Sequence, residues 1–243
     1  QDFALGNTSP PCASPRQLPF LAMAAVAPIF PISVPTGLGD REVMDCGYPV
    51  LNLQKLENPQ ASLHRCAVRY GAQTIRSIFH HLEDRSKVST FEEMNLSDNL
   101  IGDEGAEYLA AGLKDNKALK VLLLPRTGIT SAGMAHIGSL LGNSTSVQNV
   151  ILSGNHVDAV GVQGDFGAGI AKNKSVKSLC LAACRLLDEG VISLCDSIKM
   201  HPKLEHLSLT YNRLGVDAAK ALAKMLAANQ ALRFLDVCGN SFG

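Results

Sequence analysis

The sequence has no tryptophan, and aromatic residues make up only 5% of its 243 positions. It has no excess of either charge, with 22 lysines and arginines against 22 aspartates and glutamates. A nucleic-acid binder usually shows a basic excess or stripe; neither is visible in the sequence, so no nucleic-acid partner is expected. No G-x-S-x-G or H-E-x-x-H signature is present. Gly161, Gly164, Gly167 and Gly169 are dense but spell neither a dinucleotide fingerprint nor a phosphate loop. No catalytic constellation, metal site or cofactor is expected.

Seven cysteines, at 12, 46, 66, 180, 184, 195 and 238, are odd in number and irregular in spacing. That pattern fits reduced thiols in a cytosolic type of compartment better than a disulfide framework. The sequons at Asn7, Asn95, Asn143 and Asn173 carry no weight, because such tripeptides arise by chance.

Long apolar runs are also missing. The most apolar stretch, Leu18 to Val34, is interrupted by Pro19, Pro28 and Pro31 and is too short to span a bilayer. It has the look of a signal-peptide core ending near Ala25-Val26-Ala27. We read it instead as an extension packed on an apolar surface. The first residue is glutamine rather than methionine, and Gly243 falls midway through a repeating unit. A C-terminal cap or a partner is therefore expected over that end.

The sequence does hold a repeat. From Phe91 the pattern L-x-x-L-x-L-x-x-N-x-L recurs, first as Phe91, Met94, Leu96, Asn99 and Ile101. Further units start at 119, 147, 176, 204 and 232, separated by 28 residues except for 29 between the third and fourth starts. The ninth position holds Asn99, Thr127, Asn155, Cys184, Asn212 and Asn240. A fainter unit begins at 63, where Leu63, Cys66 and Val68 fit and Gly71 replaces the asparagine. There Ile75, Ile78, Phe79 and Leu82 would form a helix, with His80 and His81 as surface residues at its end.

The L-x-L core alternates with period two, which predicts a short strand with its leucines inward. Helices are expected over Asp103–Leu113, Ser131–Leu141, Asp158–Ile170, Asp188–Ile198 and Val216–Leu226. Their inward pairs are Leu109 and Leu113, Ile137 and Leu141, Leu194 and Ile198, and Leu222 and Leu226. Gly105, Gly133, Gly161 and Gly190 suit a close turn near the helix starts. The glycines of the unit with one extra residue predict a local bend or a close helix contact. One strand and one helix cannot bury their apolar faces alone, so the units must stack.

This unit resembles the ribonuclease-inhibitor type of leucine-rich repeat, most closely over Leu96-Ser97-Asp98-Asn99-Leu100-Ile101-Gly102-Asp103-Glu104-Gly105-Ala106. The resemblance implies an α/β leucine-rich-repeat solenoid, a horseshoe arc with a parallel concave sheet and outer helices. It places a Pro-rich extension at 1–62, a degenerate capping repeat at 63–90 and repeats over 91–243. It also implies a protein-binding role rather than catalysis. The settings it admits are cytosolic innate-sensor domains, ciliary or cytoskeletal proteins and organellar complexes.

On such a fold the residues between the leucines face the concave side. Strand register assigns Glu93, Asn95 and Ser97; Val121, Leu123 and Pro125; Asn149, Ile151 and Ser153 to it. The remaining units add Ser178, Cys180 and Ala182; His206, Ser208 and Thr210; Phe234, Asp236 and Cys238. The next position contributes Arg126 and Tyr211. As partner-binding residues we single out Val121, Leu123, Pro125, Arg126, Asn149, Ile151, Ser178, Cys180, His206, Tyr211, Phe234 and Asp236. Val121, Leu123, Pro125, Ile151, Cys180 and Ala182 should form a contiguous apolar patch. Such a patch calls for cover, either by a partner protein or by Phe20, Leu21, Ile29, Phe30 and Ile32 of the extension.

The expected function is a non-catalytic interaction scaffold, a structural subunit of a larger cytoplasmic, cytoskeletal, ciliary or organellar assembly. The alternative is a GTPase-activating protein similar to the Ran activator, for which Arg126 would be the positional candidate; the acidic tail of that family is missing. Ribonuclease inhibition is the third reading. It is disfavoured by the lack of tryptophan and by Glu93 and Asp236 being the only acids among the concave positions. Cys180, Cys184, Cys195 and His201 do not make a zinc site, because the register sends their side chains in different directions. Cys184 is read as the turn residue of its repeat.

Overall fold

The computed structural model describes residues 92–242, the backbone of 62–64, and residues 71–73, 75 and 76. The described residues belong to one compact unit, Leu51–Gly243. The apolar extension, Cys66, Val68, Ile78, Phe79, His80, His81, Leu82 and Phe91 lie outside the described residues.

Seven three-residue strands form one parallel sheet in chain order: β1 (Ser62–His64), β2 (Glu93–Asn95), β3 (Val121–Leu123), β4 (Asn149–Ile151), β5 (Ser178–Cys180), β6 (His206–Ser208) and β7 (Phe234–Asp236). Alternation explains what each strand buries. The middle residues Met94, Leu122, Val150, Leu179 and Leu207 are sealed in the core, as are Leu96, Leu124, Leu152, Leu181 and Leu209 two positions on. The residues between them face the other side of the sheet. Upstream, β1 pairs Leu63 with Met94. A 28-residue step would have set Leu63 against Phe91, so the strand sits three residues earlier than the repeat length predicts. Ile75 is helical and buried, as its place in the pattern suggested.

The outer layer consists of α1 (Gly102–Gly112), α2 (Ser131–Asn143), α3 (Asp158–Gly161), α4 (Gly167–Lys172), α5 (Leu187–Ile198) and α6 (Val216–Ala228). Leu109, Leu113, Ile137, Leu141, Leu194, Ile198 and Leu222 are buried as expected. Leu226 is not: it is 44% exposed, while Met225 takes the inward place. It occupies the position of Leu113, Leu141 and Ile198, but on α6, which has no following helix beside it among the described residues.

The helix expected over Asp158–Ile170 is broken, because α3 and α4 are joined by a π-helical turn, Val162–Phe166. This turn takes up the one extra residue of that unit. The close helix contact expected there is present. A Cβ on Gly169 would overlap the Gly138 carbonyl, and one on Gly138 would overlap the backbone of Phe166. Gly133 is needed for the same kind of reason rather than for a turn, since a Cβ there would strike Asp103 of the previous repeat. That carboxylate accepts from the N–H groups of Thr130 (2.7 Å) and Gly133 (2.9 Å), so one repeat caps the helix of the next.

Two polar ladders run inside the stack. In the first, Asn155 Oδ1 accepts from the N–H groups of Thr127 (3.0 Å) and Ile129 (3.1 Å), while its Nδ2 donates to the carbonyls of Leu124 and Leu152 (both 2.7 Å). Asn212 and Asn240 repeat this pattern two and three units on. Cys184 stands in more weakly: its thiol donates to the Leu152 carbonyl at 3.3 Å, and its sulfur faces the N–H of Asn155. The second ladder was not anticipated. Asn116, Ser144, Asn173, His201 and Asn229 each accept two backbone N–H groups where helix turns to strand. Its signal was the same 28-to-29-residue spacing, hidden because three residue types fill one role.

Candidate protein-binding face

The strand pairings align the outward residues into rows. Glu93, Val121, Asn149, Ser178, His206 and Phe234 are neighbours in the first row. Asn95, Leu123, Ile151, Cys180, Ser208 and Asp236 form the second. Backbone hydrogen bonds carry the ladder further, so Ser97, Pro125, Ser153, Ala182, Thr210 and Cys238 make a third. The sequence-derived register is therefore correct at every one of these positions.

A fourth row follows from backbone geometry. Asp98, Arg126, Gly154, Ala183, Tyr211 and Gly239 all have φ between 52° and 71°, the left-handed region. The four side-chain-bearing members accept that conformation although it costs roughly 1 kcal/mol each. Each donates its N–H to the next repeat's ladder, which holds the turn in place. Periodic hydrophobicity carries no trace of this requirement.

The rows differ in exposure from the expected patch. Leu123 (8%) and Cys180 (9%) are buried, as is Ser178, whereas Val121, Pro125, Asn149 and Ile151 are half-buried. The large exposed apolar groups lie further along, at Phe234 (61%) and Tyr211 (44%). Phe234 stacks on His206 with ring centroids 4.6 Å apart and planes 6° from parallel. Tyr211 lies over Gly239, where any side chain would collide with its ring. Tyr211 and Phe234 thus add exposed aromatic groups to the rows beside β6 and β7.

Residues 89–110 and 201–223 match the leucine rich repeat family model. Ribonuclease inhibitor of Mus musculus is 27% identical over 190 residues, which cover 78% of this chain and 41% of that protein. NACHT, LRR and PYD domains-containing protein 12 of Homo sapiens is 28% identical over 181 residues, 62% of this chain and 17% of its own. The solved structure of leiomodin-1 actin-binding site 2 superposes with a TM-score of 0.52 at 14% identity, over 63% of this chain and 87% of that one. That likeness is one of fold alone. The chain has the leucine-rich-repeat fold, and its repeats are similar to those of ribonuclease inhibitor. It spans about two fifths of the ribonuclease inhibitor that it matches.

Within this leucine-rich-repeat frame the remaining candidate residues find their places. Arg126 grips the Asp98 carboxylate through two bonds, Nε to Oδ1 (2.5 Å) and Nη2 to Oδ2 (2.7 Å). Its guanidinium is thus engaged within the fourth row. Cys180 Sγ lies 3.2 Å from Ser153 Oγ on the strand face. Cys184 and Cys195 are inside, and burial pushes both thiols up to about 12. His201 sits at a helix-to-strand turn, where burial and then the Lys174 charge push its imidazole down to about 4.

The neutral total also conceals a sorting of charge. Helix-to-strand turns and the helix ends that enter them carry Lys114, Lys117, Lys120, Lys172, Lys174, Lys177, Lys199, Lys203 and Arg233 against Glu92, Asp115, Asp196 and Glu205. The opposite turns and first helical turns carry Asp98, Asp103, Glu104, Asp158, Asp188, Glu189 and Asp217 against Arg126, Arg185 and Arg213. The two edges therefore present fields of opposite sign, which the sequence-wide balance did not reveal.

Proposed function

We propose that this leucine-rich-repeat chain is a non-catalytic protein-binding scaffold, a structural subunit of a cytoplasmic or cytoskeletal assembly. It engages its partner through the outward rows of its sheet. The observation that carries this reading is the set Val121, Ile151, His206 and Phe234, with Pro125 and Tyr211 alongside, drawn from the first two outward rows on β3, β4, β6 and β7 and from the turns that follow β3 and β6. It is largely apolar and partly open, with Asn149 and Asp236 as polar elements that fix orientation. If roughly 400 Å² of it were covered, the gross gain at about 25 cal/mol/Å² would be on the order of 10 kcal/mol before ordering costs.

The test is affinity capture by the full chain, comparing the wild type with Ile151→Asp plus Phe234→Asp, each with a thermal melt. Leu123 is left intact because its burial would confound binding with folding. A partner lost at an unchanged melting temperature supports the reading. An unchanged partner set with folded variants refutes it.

A further inference from the structure

Side chains tie successive units to one another unequally. The second and third units, which start at Leu119 and Val147, share the bonds of Asn155 to Thr127, Ile129 and Leu124. Ser131 Oγ adds a bond to the Val157 carbonyl (2.6 Å) and Asn173 Nδ2 one to the Leu141 carbonyl (2.7 Å). The fourth and fifth, which start at Val176 and Leu204, share the bonds of Asn212 to Cys184, Leu186 and Leu181. There the Gly215 N–H also donates to the Asp188 carboxylate, and Asn229 Nδ2 to the Ile198 carbonyl (2.9 Å). The first and second are joined by Asp103 to Thr130 and Gly133, and by the ion pairs Arg126–Asp98 and Lys120–Glu92. Between the third and fourth, side chains of the described residues make only two hydrogen-bonding contacts, both through sulfur. Cys184 Sγ reaches the Leu152 carbonyl at 3.3 Å, and Cys180 Sγ lies 3.2 Å from Ser153 Oγ.

Each missing tie has its own cause. The inner ladder weakens because Cys184 replaces the asparagine, and a thiol is a weak donor and a weak acceptor. In the outer ladder Asn173 and Asn229 reach back to a carbonyl of the preceding unit, but His201 does not, and its Nε2 is buried without a partner. No carboxylate crosses either, because Ala159 stands where Asp103 and Asp188 stand in their own units. What holds this interface is the backbone ladder of β4 and β5 and the apolar core.

The stability of a stacked array is approximately a sum over its units and interfaces, so cooperativity breaks first at the least-tied interface. We infer that the solenoid is two cooperative blocks, one ending at Ser175 and the other starting at Val176, and that either opens without the other. The boundary cuts the proposed face. Val121, Pro125 and Ile151 stand on one block, and His206, Tyr211 and Phe234 on the other. The division does not rest on that face being a binding surface; its consequence does. A partner that spans both groups meets them in register only while both blocks are folded, so its binding is linked to the state of the seam.

Site-resolved hydrogen exchange of the full chain at rising, sub-denaturing urea tests this with amides at one ladder position. Leu124 and Arg126 bond across the second-to-third interface, Leu152 and Gly154 across the third-to-fourth, and Leu181 and Ala183 across the fourth-to-fifth. The first and last pairs should exchange through separate openings, each with a urea slope below that of global unfolding. Leu152 and Gly154 should follow the less stable block. Cys184→Asn, which restores the ladder's acceptor, should slow exchange in both blocks about tenfold and raise both slopes toward the global value. A single shared opening with the global slope, or a boundary at another interface, would overturn the inference in the wild type alone. So would a folded Cys184→Asn variant that leaves exchange at all these amides unchanged.

Discussion

Replacing Asn155 with alanine tests whether the inner polar ladder holds the repeats together. The side chain is almost wholly buried, and its Oδ1 takes the N–H groups of Thr127 and Ile129 from the preceding unit. Its Nδ2 serves the carbonyls of Leu124 and Leu152, but these have second donors in Thr127 Oγ1 (2.9 Å) and the Cys184 thiol (3.3 Å). The loss therefore falls mainly on two backbone N–H groups sealed away from water. At about 1–3 kcal/mol for each orphaned group, the cost should be roughly 2–6 kcal/mol. Asn240 makes the same bonds to Asn212 and Leu214 but is half-exposed in the turn after β7, so water can replace them. Asn240→Ala should cost about 1 kcal/mol or less. Urea unfolding of the two variants, with hydrogen exchange at Thr127 and Ile129, reads the difference. Equal destabilisation within about 0.5 kcal/mol, or unchanged protection at those amides, would refute the argument.

Protonation of His201 gives a second prediction. Its folded value, about 4, lies below the ordinary 6.5, so the unfolded chain binds the proton more readily. The stability tied to the neutral ring is complete above about pH 6.5 and is lost as pH falls toward 4. His201→Asn should remove a loss on the order of 1–3 kcal/mol between those limits, seen as a flatter pH dependence of the urea midpoint; an identical slope would count against it. Among Cys180, Cys184, Cys195 and Cys238, exposed Cys238 should be alkylated first in native protein, and Cys184 and Cys195 only on unfolding. Peptide mass mapping over time decides the order, and early labelling of Cys184 would contradict the burial. Gly169→Ala should destabilise by about 3 kcal/mol or more, because its methyl would meet the backbone of Gly138, whereas Gly164→Ala meets nothing within 4 Å. Equal melting temperatures for these two variants would sink the proposed helix contact.

Much of this fold can be read from the sequence because the repeat makes every error visible several times over. Strand register follows from Met94, Leu122, Val150, Leu179 and Leu207 being sealed while their neighbours are not. Helix bounds fall within about two residues of expectation. What escaped has particular causes. The β1 strand departs from the repeat length, so periodicity misplaced it. Leu226 follows the same pattern as Ile198, but burial depends on a neighbouring helix, which pattern alone does not supply. The outward positions were all placed in the right register, yet the exposure of some was misjudged, since Leu123 and Cys180 are buried. The left-handed turns at Asp98, Arg126, Ala183 and Tyr211 left no signal, because three of these residue types have no preference for that conformation. Charge sorting escaped because a total has no direction, whereas a solenoid has two edges.

The π-helical turn at Val162–Phe166 bears on how such a chain can change over time. The unit that contains it is one residue longer than its neighbours, yet Asn149 still stands opposite Ser178 and Ile151 opposite Cys180. The surplus is absorbed on the outside, and the rows do not slip. Insertions here can alter the outer wall while leaving intact the pattern that a partner would read across the strands. Variation in length and conservation of a binding surface are therefore compatible in one molecule, because the two layers count residues separately.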